Sequence, residues 1–145
     1  MINGRLSVSD DDEQPISVLL AEDDADLCFI LSHSLTQGGF RVHEVNTIAN
    51  MEREILALDN MQSPKRYVDV IVSDIQLADG SVMPLLSKYK HFFAGFPAIL
   101  ITSDKSPEVL KMARRFGIHD VLAKPFDLSA LVTTIGHAIN CRPVR

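Results

Sequence analysis

Two rhythms of apolar residues alternate along this chain. Short, nearly unbroken apolar runs fall at residues 16–21, 68–74 and 97–102, and a shorter one at 119–123. Such runs read as strands buried on both faces, the habit of parallel sheets. Residues 40–45 partly alternate and carry charge, which predicts a half-exposed edge strand. Between the runs the apolar positions recur at helical spacing. Leu27, Ile30, Leu31 and Leu35, with Cys28 beside them as a small core residue, predict a first helix stopped by Gly38-Gly39. Ile48, Met51, Ile55 and Leu58 predict a second, and Val82, Leu85, Leu86 and Tyr89 a third with Pro84 in its first turn. Ser106-Pro107-Glu108 is a helix start, followed by the inward stripe Val109, Ala113 and Phe116 and a stop at Gly117. Asp127 is expected to cap a last helix facing inward through Leu128, Leu131, Val132, Ile135 and Ile139. Five strand–helix alternations predict one α/β unit, a parallel sheet with helices on both faces.

In open sheets of this class, ligands bind outside the carboxyl ends of the strands. Four of the five predicted strands end in polar residues: Glu22-Asp23, Asp74, Thr102 and Lys124. Each has a local explanation, as a helix cap, a strand end or a surface charge. Independent caps have no reason to bring three carboxylates, a hydroxyl and an ammonium to one edge. Carboxylates that close repel, and a hard divalent cation such as Mg²⁺ resolves the repulsion while keeping waters for a phosphate. Lys124 supplies a second positive point for an anion. A carboxylate facing both is equipped to attack phosphorus and form an aspartyl phosphate, with Thr102 bonding the new phosphoryl oxygens.

Composition narrows the partners. The 145 residues carry a net charge of -5, which argues against direct contact with nucleic acid. Two cysteines without a C-x-x-C spacing suit a reducing cytoplasm, and no apolar stretch predicts a membrane span or export leader. The five histidines have no ligand spacing. The acidic run Asp10-Asp11-Asp12-Glu13 reads as part of a solvated tail over residues 1–15, leaving a domain at 16–141 and a short tail at 142–145. No output domain is visible after the last helix; a stand-alone chain and a piece of a longer one both fit.

Taken in order, 18–24, 69–74, Leu77-Ala78-Asp79-Gly80, 99–102 and Ala123-Lys124-Pro125-Phe126 make the chain resemble the receiver domains of two-component response regulators. The resemblance implies a flavodoxin-like (βα)5 fold with strand order 2-1-3-4-5. It implies Asp74 as phosphoacceptor for a histidine kinase or histidine phosphotransfer protein. Mg²⁺ would be held by Asp23, Asp74 and the Gln76 carbonyl, with Glu22 acting mainly through a metal-bound water. Thr102 would be the switching hydroxyl, Lys124 the phosphate-binding ammonium, and the bond before Pro125 cis. The output face would be the fourth helix with the last strand and last helix, where Lys111, Arg114 and Arg115 form a basic patch. Such a protein is a signalling module with at most autophosphatase activity. The chain departs from the family at Val121, where an inward-turning aromatic is usual. Two rivals stand beside this reading. A haloacid dehalogenase-like aspartyl-phosphate phosphatase needs an Asp-x-Asp acid, and that position is Gln76, which transfers no proton. A non-switching scaffold has Val121 as its support.

Overall fold

Each apolar run becomes a strand whose two faces are both covered. In the computed structural model, which describes residues 14–61, 67–104 and 106–141, the order is β1 (Ser17–Ala21), α1 (Ala25–Gln37), β2 (Arg41–Val45), α2 (Ile48–Asp59) and β3 (Val70–Asp74). A small hairpin follows, β4 (Gln76–Leu77) and β5 (Gly80–Ser81), then α3 (Met83–Lys88) and α4 (Lys90–Gly95). The chain closes with β6 (Ala98–Thr102), α5 (Pro107–Arg115), β7 (Asp120–Ala123) and α6 (Leu128–Asn140). The five main strands form a parallel sheet in the order β2-β1-β3-β6-β7. This is the expected 2-1-3-4-5 order of the flavodoxin-like (βα)5 fold, with β6 and β7 as its fourth and fifth strands. The run Asp10–Glu13, the loop 62–66, Lys105 and residues 142–145 lie outside the described residues.

Alternate residues of each strand feed opposite layers. Leu19, Ile71 and Leu100 pack with Met51 and Ile55 of α2, Leu85 of α3 and Phe93 of α4. Val18, Leu20, Val72, Ile99 and Ile101 pack on the other side against Leu31 and Leu35 of α1 and Leu131 and Ile135 of α6. Cys28 lies in this second layer, as its size suggested. β2 is the half-exposed edge.

Three expectations need correction. The third helix is two short helices, α3 and α4, broken at Tyr89 (φ -109°, ψ 37°). Its apolar stripe continues through Phe92, Phe93 and Phe96, all buried, so the predicted element stops short by the six residues of α4. Ile30 and Val132, expected inside, are 57% and 37% exposed. Leu31 and Leu131 beside them fill the layer. Asp127 stands at the start of α6 without a side-chain capping bond, contributing only its carbonyl, which accepts from the Ala130 N–H at 3.0 Å. Ser106 does cap α5, its Oγ accepting from the Val109 N–H at 3.4 Å.

The ends of the elements are fastened to one another. Asp69 lies just before β3 rather than within it; its Oδ2 accepts from the Ser17 N–H at 2.9 Å and ties the starts of β1 and β3 together. Gly117 ends α5 at φ +83°, and a Cβ there would meet the Phe93 carbonyl at 3.0 Å, so only glycine fits without a shift.

Candidate functional site

Strand register builds the site. Ala21 of β1 lies level with Ser73 of β3, so the next residues, Glu22 and Asp74, emerge side by side. Asp74 is level with Ile101 and so with Leu122, and Thr102 with Ala123, which sets Thr102 one step and Lys124 two steps further along the same edge. Lys124 reaches back across that gap. Its Nζ lies 2.8 Å from Asp74 Oδ2 and 3.2 Å from Glu22 Oε1. Carboxylate oxygens of Glu22, Asp23 and Asp74 all lie within 4.8 Å of one another. Glu22 is 2% exposed, whereas Asp23 faces solvent and Asp74 is half-buried. The result is an acidic cup with a buried wall, an open mouth and one ammonium bridging two of its acids.

Local hydrogen bonds hold the walls. The Asp24 N–H donates to Glu22 Oε2 at 3.1 Å, while Asp24 Oδ1 accepts from the Asp26 and Leu27 N–H groups at 3.0 and 3.1 Å and starts α1. Ser73 Oγ donates to the Asp74 carbonyl at 2.7 Å. The Lys124–Pro125 peptide bond is cis.

The sequence profile of the response regulator receiver domain matches residues 18–136. The chain belongs to that family. Among curated relatives it is 28% identical over 123 residues to the DNA-binding transcriptional regulator NtrC of Rhizobium meliloti, covering 85% of this chain and 24% of that protein. It is 32% identical over 125 residues to the C4-dicarboxylate transport transcriptional regulatory protein DctD of Pseudomonas aeruginosa, covering 86% and 25%. The chain thus spans about a quarter of the length of these relatives. Its fold matches the non-phosphorylated HemR receiver domain of Leptospira biflexa with a TM-score of 0.72 at 23% identity, over 90% of this chain and 98% of that one.

Charges in this receiver's cup act on one another. Burial is the strongest influence on Glu22 and raises its pKa; the Asp24 N–H opposes it, and the Asp74 charge adds to it. For Lys124 burial is again the largest single effect and pulls downward. The hydrogen bond and charge of Asp74, with those of Glu22, outweigh it and hold the ammonium above the ordinary lysine value.

Other residues singled out in the sequence sit around the cup rather than in it. Gln76 is exposed in β4, its N–H 3.5 Å from Asp74 Oδ1. The Thr102 hydroxyl is buried and accepts from the Asp104 N–H at 2.9 Å. Val121 is half-buried against the α2–α5 layer. Asp79 escaped the sequence reading as a structural residue. It holds the β4–β5 hairpin to α2, its Oδ1 accepting from the Ile48 N–H at 2.5 Å and its Oδ2 from the Ala49 N–H at 3.2 Å. An Asp-Gly turn signals a turn and says nothing of a distant helix to cap. Among the described residues no helix is long and apolar enough to cross a membrane.

Proposed function

We propose that Asp74 accepts a phosphoryl group from a phosphohistidine on a histidine kinase or histidine phosphotransfer protein. The observation that carries this reading is the Lys124 bridge from Asp74 to Glu22 beside the clustered oxygens of Asp23. A carboxylate oxygen of Asp74 attacks phosphorus, the P–N bond to the imidazole breaks, and the imidazole leaves with the electron pair. Lys124, already within 2.8 Å of that carboxylate, pairs with a phosphoryl oxygen. Thr102 supplies a hydroxyl to another. Hydrolysis of the acyl phosphate resets the switch.

The donor set fits a hard divalent cation: three carboxylates in one cup, with one ammonium to balance them. Mg²⁺ would be held by Asp23, Asp74 and the Gln76 carbonyl, with Glu22 through a water, and would neutralise charge gathering on the phosphoryl oxygens. Residues 16–141 are the receiver unit, acting in the cytoplasm. Its output face is α5, β7 and α6, where Lys111, Arg114 and Arg115 invite an acidic protein partner rather than nucleic acid. The phosphatase alternative lacks its acid, since Gln76 stands exposed where a second aspartate is required.

Incubation with acetyl phosphate and Mg²⁺ is expected to add one phosphoryl group by intact mass, and Asp74→Asn to add none. The same adduct on the Asp74→Asn protein would overturn the assignment.

A further inference from the structure

Between the end of β6 and the first turn of α5, three side chains each fasten a backbone N–H further along. Thr102 Oγ1 accepts from the Asp104 N–H at 2.9 Å. Asp104 Oδ1 accepts from the Ser106 N–H at 2.9 Å. Ser106 Oγ accepts from the Val109 N–H at 3.4 Å. These are the local side-chain bonds that Ser, Thr and Asp make in turns and caps. Here they run in series, so each rung sets the position of the residue that makes the next.

The lower end of the ladder is anchored. The Lys124 N–H donates to the Thr102 carbonyl at 2.7 Å, and Thr102 pairs with Ala123 in the sheet. The Thr102 backbone is therefore held by β7, and its buried hydroxyl can turn only by giving up the Asp104 N–H. A hydroxyl that turns towards a phosphoryl group lets go of the Asp104 N–H without moving β6. The loop is released rather than pulled.

We infer that Asp104 is a positioning residue that couples the Thr102 hydroxyl to the start of α5. The inference rests on the reading of Asp74 and Thr102 given above. It offers a route from the cup to the output face that needs no aromatic ring. Val121, on β7 and packed against the α2–α5 layer, is not a member of it.

Residue-resolved amide exchange, with Mg²⁺ and with or without beryllium fluoride, tests the ladder. In the wild-type chain the Asp104, Ser106 and Val109 amides are expected to exchange faster with beryllium fluoride, each by about fivefold, the worth of one net hydrogen bond. In Asp104→Ala the amide at 104 still responds, because its acceptor is Thr102, but the response stops there. Ser106 and Val109 then exchange alike with and without the ligand. Asp104→Asn keeps the Oδ1 acceptor and is expected to carry the response through to Val109. A wild-type response at Ser106 and Val109 in Asp104→Ala would overturn the inference, as would an Asn variant that behaves like Ala. Residues 70–77 report separately on Asp74. If they fail to respond in the wild-type chain, the phosphoacceptor reading falls and the ladder with it. If they respond in every variant while Ser106 and Val109 do not separate the Ala variant from the wild type, the ladder alone is wrong.

Discussion

Glu22 is the residue at which burial and charge oppose each other. Its side chain is buried beside Asp74, and its folded pKa is raised by that burial and by the neighbouring charge. A group whose folded pKa is raised favours the native state below its unfolded pKa, and that contribution is lost as pH rises through the folded value. At neutral pH and without divalent cation, ionised Glu22 therefore costs stability. Glu22→Gln is expected to raise the melting temperature at neutral pH in chelator, with the gain shrinking as the pH falls towards the carboxylate range. Differential scanning calorimetry across that range decides it; a Gln variant that melts lower at neutral pH would contradict the argument. The run that ends in Asp74 could be read directly from the sequence. The Asp24 amide that steadies Glu22 could not, because a two-residue side-chain loop leaves no mark on the apolar pattern.

At the scale of elements, the hairpin β4–β5 and helix α2 behave as one piece through Asp79. The carboxylate accepts from two otherwise orphaned N–H groups at the start of α2, and those bonds lower its pKa, that from Ile48 most. A depressed carboxylate contributes stability above its unfolded pKa, lost as pH falls through the folded value. Asp79→Ala is expected to melt lower than wild type at neutral pH, with the two curves converging in acid. Equal melting at neutral pH would show that the tie carries nothing. Element boundaries followed the sequence where punctuation was local, as at Ser106-Pro107. They departed where the sequence shows only apolar residues: Phe92, Phe93 and Phe96 continue a helical stripe that Tyr89 interrupts but does not end. The exposure of Ile30 has the same origin, since an apolar stripe wider than the layer beneath it leaves one row outside.

For the whole molecule, β6 matters because it is covered on both faces and its carboxyl end borders the acidic cup. Leu100 is 1% exposed between Leu19, Phe93 and their neighbours, one residue before Ile101, the partner of Asp74. Leu100→Ala is expected to cost about 3 kcal/mol, within the range for a leucine removed from a packed core. Urea unfolding at unchanged slope would measure it. A loss of only a few tenths would mean that the two layers collapse around the gap.

The sequence by itself determined the class of this protein. Apolar runs too continuous for one-sided burial require strands covered on both faces, and strands separated by helical stripes require parallel crossovers; both signals are local and periodic. It also determined which strands end in polar residues. Tertiary structure decided the rest, because its causes join residues far apart in the chain. A stagger in strand register sets Glu22 level with Asp74, 52 positions later, and lets Lys124 reach both. A period has no phase, so sequence spacing alone cannot say whether Ile30 or Leu31 faces the sheet, nor that Asp79 caps a helix 31 residues behind it. Those choices follow from the packing of whole layers, which exists only once the chain has folded.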